Sequence, residues 1–249
     1  LSFTVMLDKV KSLGIDAVEM TAGGWGGCKH VPTQELLADE GKLKAYKAEI
    51  DNRGMEIAAL NCSGNPLCPG DMGELHTKTI YDTAVLAGRL GVKKLVMMSG
   101  LPAGGPDDKT PNWITSTVSW PDYMVETVRY QWEDVAIPWW KKFVAHCKEN
   151  GVEQIAIEEF PCQLVYNPET LWKLRNAVDP MIGMNLDPSH LMVMGADPIA
   201  AARALKGALY HIHGKDARIE RGLCDVNGLP ESKPVTDCEN RTWNYVAVG

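Results

Sequence analysis

Apolar and polar positions alternate along the chain in a repeated unit: a helical stretch, a glycine, then a short apolar strand. It recurs as KSLG-IDAVEM around Gly14, DNRG-MEIAAL around Gly54, AGRLG-VKKLVMM around Gly91 and CKENG-VEQIAIEE around Gly151. Glycine takes the left-handed conformation that ends a helix, and an immediately following strand leaves room only for a tight turn. Two later strands, MIGMNLD and ALYHIHG, follow helical stretches around 168–178 and 197–205 without that glycine. Helices alternating with strands at this spacing predict an α/β fold with a parallel sheet, because parallel neighbours need a crossover helix.

Between VKKLVMM and the next helix runs GLPAGGPDDKTPNWITSTVSWP, which reads as a long loop at a strand's C-terminal end, where function concentrates in barrels and open sheets. The following pattern predicts a helix from about Tyr123 to Asn150, with Val125, Val128, Trp132, Val135, Trp139 and Phe143 on one face and Asp122 as its N-cap. Pro138 lies inside it and is expected to kink or divide it. No low-complexity linker splits the chain, so 1–249 reads as one domain.

Strand parity orders the polar residues. If Ile155 and Ile157 face the helices, Gln154, Ala156 and Glu158 face the interior and Glu159 does not. In MIGMNLDPSH, Ile182, Met184 and Leu186 point outward, leaving Gly183, Asn185 and Asp187 inside. In ALYHIHGKD, Tyr210 and Ile212 point outward and His211 and His213 inward. Three consecutive strands thus end in an inward Glu, Asp and His. Burying unpaired carboxylates costs several kcal/mol, so this register calls for a compensating cation. Two carboxylates and an imidazole suit Mn²⁺ best, with Mg²⁺, Co²⁺ and Zn²⁺ as alternatives. Taken singly, each residue has a plainer explanation: Asp187 as a helix cap, the histidines as hydrogen-bonded core groups, Glu158 as an ion-pair partner.

Composition narrows the partners. There are 25 Lys and Arg against 32 Asp and Glu, a formal net charge of -7, and no basic run, which argues against duplex nucleic acid or an anionic membrane. No apolar run approaches a membrane span, and seven scattered cysteines without a CxxC pair fit a reduced, cytoplasmic setting. GGWGG at 23–27 lacks the spacing of a phosphate-binding loop and reads as a flexible loop. Cys62 and Cys68 lack a paired histidine motif for nucleophilic chemistry.

IAIEEFPCQLVYNPETLWKLRNAV, GMNLDPSHLMVMGADPIAAARAL and YHIHGKDARI together resemble the sugar phosphate isomerase/epimerase superfamily, the xylose-isomerase-like TIM barrels, over nearly the whole chain. The resemblance implies a TIM-type (β/α) barrel in which Glu158, Asp187 and His213 bind one divalent metal, with a second Glu expected on a closing strand that this sequence does not contain. His213 is preferred to His211 on the match and on its place nearer the strand's end. His190, after DPS, and Lys215, after HIHG, match substrate-contacting positions. LNCSGNPLCP matches the third-strand loop, with Asn65 as its candidate contact. Trp113 and Trp120 are candidates for the wall of a sugar pocket, and Glu19, inward at a strand end, for a substrate contact or a structural ion pair.

The family barrel has eight strands, whereas about six are visible here: the first strand and the last helix–strand unit are expected to be missing from this chain, which favours a fragment or a barrel completed by a homo-oligomer or second subunit. The implied activity is isomerisation or epimerisation of a small carbohydrate by proton abstraction next to a carbonyl, with Glu158 as base. Alternatives are a metal-dependent lyase on keto-sugars such as a C-glycoside deglycosidase, and a non-catalytic barrel that binds a sugar or a partner. The superfamily's multi-metal endonucleases are disfavoured by the net charge and by only six histidines.

Overall fold

A computed structural model describes residues 1–116 and 124–249. In chain order the elements are α1 (Phe3–Ser12), β1 (Ala17–Thr21), α2 (Thr33–Ala38), α3 (Glu40–Asp51), β2 (Glu56–Asn61), α4 (Asp71–Leu90), β3 (Lys94–Met97), α5 (Met124–Arg129), α6 (Ile137–Glu149), β4 (Gln154–Glu158), α7 (Pro168–Ala177), β5 (Ile182–Leu186), α8 (Pro188–Val193), α9 (Pro198–Ala204), β6 (Leu209–Ile212), β7 (Asp216–Ile219), α10 (Arg221–Asn227) and β8 (Trp243–Val246). The first six strands form one parallel sheet in sequential order, and β7 and β8 form a separate antiparallel pair.

The glycine rule holds where the unit repeats: Gly91 ends α4 at φ 80° and Gly151 turns into β4 at φ 74°. The strand at 209–212, for which the sequence predicts no such glycine, has Gly207 at φ 86° in its turn. Between α5 and α6 the chain winds as a π-helix over Tyr130–Ala136, with Ile137 N–H bonded to Trp132 O five residues back. The widened turn lies immediately before Pro138, so the expected interruption takes the form of a π segment rather than a break. Asp122, Trp120 and the start of the expected helix at Tyr123 lie outside the described residues. The loop after β3 is pinned from this helix by Gln131, whose Nε2 donates to the carbonyls of Pro102, Ala103 and Asn112.

The sheet curls strongly. Laid flat, six strands would separate β1 from β6 by about 24 Å at ~4.8 Å per neighbour. Instead Glu19 of β1 touches His211 and His213 at the other edge, and Lys94 Nζ of β3 reaches Tyr210 O of β6 at 2.8 Å. Ile155, Ile157, Ile182, Met184 and Leu95 are fully buried against the helices, with Trp140 and Phe143 of α6 among the largest side chains of that outer core. Ala59, Val96 and Ala156 form a small inner cluster, as parity requires.

Tyr210 departs from that parity. The β5/β6 register shifts between Met184 and Asn185, so Leu209 pairs with Met184 but His211 with Asn185. The extra residue turns Tyr210 inward, where it packs on the inner cluster and fills the space above Gly183. Ile212, expected against helices, is exposed. The segment WNYV pairs antiparallel with Asp216–Ile219 instead of entering the parallel sheet. Gly24–Gly26 of GGWGG form a short 3₁₀ turn packed closely on the Ser63 carbonyl, not a free loop. Among the described residues, no helix is long and apolar enough to cross a membrane.

Candidate active site

Two clusters meet at the C-terminal ends of β1, β4, β5 and β6. The first is Glu158, Asp187 and His190, and the second is Glu19, His211 and His213; within each, one ligand atom per residue lies within 4.8 Å of the others. They join at Glu158: its Oε1 is 3.1 Å from His190 Nε2 and its Oε2 is 3.3 Å from His213 Nδ1. Glu158 therefore faces the interior as parity predicts, with His213 at one oxygen and, at the other, His190 Nε2, which Asp187 Oδ2 also approaches at 3.2 Å.

Asp187 has two jobs because its oxygens are differently used. Oδ1 caps α8 by accepting from Ser189 N at 2.9 Å and Ser189 Oγ at 2.6 Å, the Asx geometry that Asp-Pro-Ser favours. Oδ2 is buried and accepts no well-aligned hydrogen bond, although His190 Nε2 is 3.2 Å away and Lys215 Nζ 3.8 Å. Burial opposes ionisation of Asp187, but His190, Ser189 and Lys215 hold its carboxyl below the usual range. Burial likewise opposes ionisation of Glu158, and His190 and His213 outweigh it. Hydrogen bonds to Glu158 and Glu19 push His213 up to about 10.

His190 is fully buried at the hub. Its Nδ1 meets Tyr245 Oη at 2.9 Å, and Phe160 packs edge-on at a ring separation of 4.2 Å. Lys215 is half-buried, 3.4 Å from His190 Nε2 and 3.8 Å from the centroid of the Tyr245 ring. Glu19 accepts from Asn61 Nδ2 at 2.7 Å, His211 at 2.8 Å and His213 at 3.0 Å, and burial that would raise its pKa is overcome by these donors.

The other expected contacts lie elsewhere. Asn65 is buried and engaged by backbone, accepting from Leu101 N and Leu67 N and donating to Leu101 O, so it ties the loop after β2 to the loop after β3. Trp113 stands edge-on to Tyr166 and lines a cavity of about 440 Å³ with Leu191, Met194 and Trp243; neither of the two clusters lines that cavity.

Three participants were not anticipated. Tyr245 comes from the β7/β8 pair, whose formation the sequence pattern did not reveal. Asn185 was placed inside without a role and has Nδ2 3.1 Å from His213 Nδ1. Glu159, expected to face away from the interior, is fully buried; its Oε1 accepts from Asp187 N at 2.9 Å and burial pushes its carboxyl up to about 9. It braces the backbone at Asp187.

The family model for xylose isomerase-like TIM barrels matches residues 7–233. The chain belongs to that family. It is 60% identical over all 249 residues to the Bacillus subtilis (strain 168) uncharacterized protein YfiH, spanning 80% of that protein. Among solved structures it is similar to D-psicose 3-epimerase with D-tagatose from Clostridium cellulolyticum H10, at 16% identity and TM-score 0.58 over 86% of this chain and 67% of that one. It is similar also to IolI protein with a bound zinc atom, at 17% identity and TM-score 0.59 over 88% of this chain and 69% of that one. These likenesses establish a TIM-barrel fold.

Proposed function

We propose that this family member is a divalent-metal-dependent enzyme that isomerises or epimerises a small carbohydrate, taking a proton from the carbon next to a carbonyl. The observation that carries the reading is the orphaned, buried Asp187 Oδ2 beside Glu158, with His213 on the other side of that carboxylate. Two anionic carboxylates and an imidazole are a donor set for Mn²⁺, and also for Mg²⁺, Co²⁺ or Zn²⁺; Glu158, Asp187 and His213 would hold the ion, with His213 now grouped with Glu19 and His211 and reaching the pair through Glu158. Such an ion supplies Lewis acidity, which stabilises an enediolate. Similarity to an epimerase crystallised with D-tagatose and to a protein crystallised with zinc supports this class.

The chain's own residues supply the remaining chemistry. Glu158 is held ionised, so one oxygen can serve as base while the other stays on the cation side. Lys215, partly open to solvent, can place its ammonium on a substrate hydroxyl, with Asp187 fixing its direction. His190, sealed from solvent, orients Glu158 and Asp187 rather than meeting substrate itself.

The test is Mn²⁺ titration together with ketose isomerisation and C3-epimerisation assays on the wild-type chain, Asp187→Ala and Glu158→Gln. Metal-dependent turnover that disappears in both variants while their far-UV circular dichroism persists is the expected result. Metal-independent turnover, or turnover that survives loss of the ion in Asp187→Ala, would rule the reading out.

A further inference from the structure

We infer that Glu19 is a positioning residue that selects which nitrogen of His213 faces the cation. The inference rests on the metal reading above and assigns a task to the cluster on β1 and β6. Glu19 and His213 lie on opposite edges of the sheet, yet His213 Nε2 is 3.0 Å from Glu19 Oε2 and its other nitrogen, Nδ1, is 3.3 Å from Glu158 Oε2. The ring is therefore held between two carboxylates, one at each nitrogen.

Glu19 is fixed before it meets His213. Asn61 Nδ2 donates to its Oε1 at 2.7 Å, and His211 Nε2 lies 2.8 Å from the same Oε2 that receives His213. Once a cation displaces the Nδ1 proton, a carboxylate that keeps the Nε2 proton leaves Nδ1 as the nitrogen with a lone pair to give, and a carboxylate behind a ligating imidazole also raises its basicity. Asn185 Nδ2 lies along the edge of the ring, 3.1 Å from Nδ1 and 3.4 Å from Nε2, so the choice between the nitrogens falls to the carboxylates. The parity that turns both His211 and His213 inward thus has a purpose for each: His213 reaches the cation, and His211 locks the carboxylate that orients it.

The experiment is a double-mutant cycle on Mn²⁺ affinity, read by calorimetric titration of the wild-type chain, Glu19→Gln, His213→Ala and the double variant, with His211→Ala as a fifth protein. Glu19→Gln should weaken Mn²⁺ binding by about 10- to 100-fold. In the His213→Ala background the same change should have no further effect, because Glu19 acts through that ring. Losses that add in full, or an unchanged affinity in Glu19→Gln, overturn the inference while leaving the metal reading standing. So does a stoichiometry of two ions per chain with one lost in His211→Ala, since Glu19, His211 and His213 would then be a ligand set themselves. A wild-type chain that binds no Mn²⁺ overturns the metal reading first and this inference with it.

Discussion

Tyr245 Oη lies 2.9 Å from Nδ1 of the fully buried His190, so the antiparallel β7/β8 pair reaches into the barrel's ionisable cluster. Tyr245→Phe keeps the ring beneath Lys215 and removes only the hydroxyl. A buried imidazole nitrogen left without its partner costs about 1–3 kcal/mol. Thermal unfolding should show a drop of a few degrees, about 2–4 °C per kcal/mol for a domain of this size. An unchanged midpoint would mean that the tyrosine contributes packing alone.

The site was legible where strand parity was regular. Glu158 and His211 lie within β4 and β6, where alternation and a bulge that falls before His211 set their direction, while Asp187 and His213 follow the strand ends, one capping α8 and the other with its amide on the Leu186 carbonyl. Tyr210 was misread for the same reason: a bulge inserts one residue, and period-two reasoning cannot place it from composition. Tyr245 was invisible because WNYV alternates equally well for any strand, and its pairing with Asp216–Ile219 is a long-range choice made across the intervening α10 and loop. Parity turned Glu159 away from Glu158 but could not show that it would be fully buried there, bonded to the Asp187 amide.

Gly183 has no room for a side chain. A methyl there would meet Tyr210 Cδ2 at 2.2 Å and the Ala208 carbonyl oxygen at 2.6 Å. Gly183→Ala should therefore destabilise by at least ~1–3 kcal/mol, the cost of overpacking a filled interior. Adding Tyr210→Ala should recover only part of the loss, since the backbone oxygen of Ala208 still stands in the way. Denaturant unfolding of the single and double variants measures this, and a stable single variant would contradict the inward placement of Tyr210.

The cysteines differ in burial, and that sets the order in which a thiol reagent should reach them. Cys28, Cys162 and Cys238 are exposed, whereas Cys62 and Cys147 are buried. Burial pushes the Cys62 thiol up to about 12 and raises Cys147 as well, and thiolate is the reactive form. Brief maleimide treatment of the native protein followed by peptide mapping should modify the three exposed residues first. Cys62 and Cys147 should react only after unfolding, and their labelling in the native protein would argue against the packing of β2 and α6.

Acid should loosen the junction between α6 and β5. Burial would raise the Asp179 carboxyl, but the ammonium of Lys148 and the Met181 amide, which both hydrogen-bond to it, hold it below its ordinary value. A carboxylate with a depressed folded-state pKa adds stability that is fully present above the unfolded value, about 3.9, and is lost as pH falls through the lower folded value. Lys148 is about half exposed while Asp179 is mostly covered, and solvent on the lysine side screens the pair to about 1 kcal/mol. Asp179→Asn keeps a side-chain oxygen for Met181 N–H while discarding the charge. Thermal unfolding of wild type and variant should therefore differ modestly at pH 6 and converge between about pH 4 and pH 2, with 1 M salt shrinking the difference at pH 6. A difference that instead widened as pH fell would assign the stability to another carboxylate.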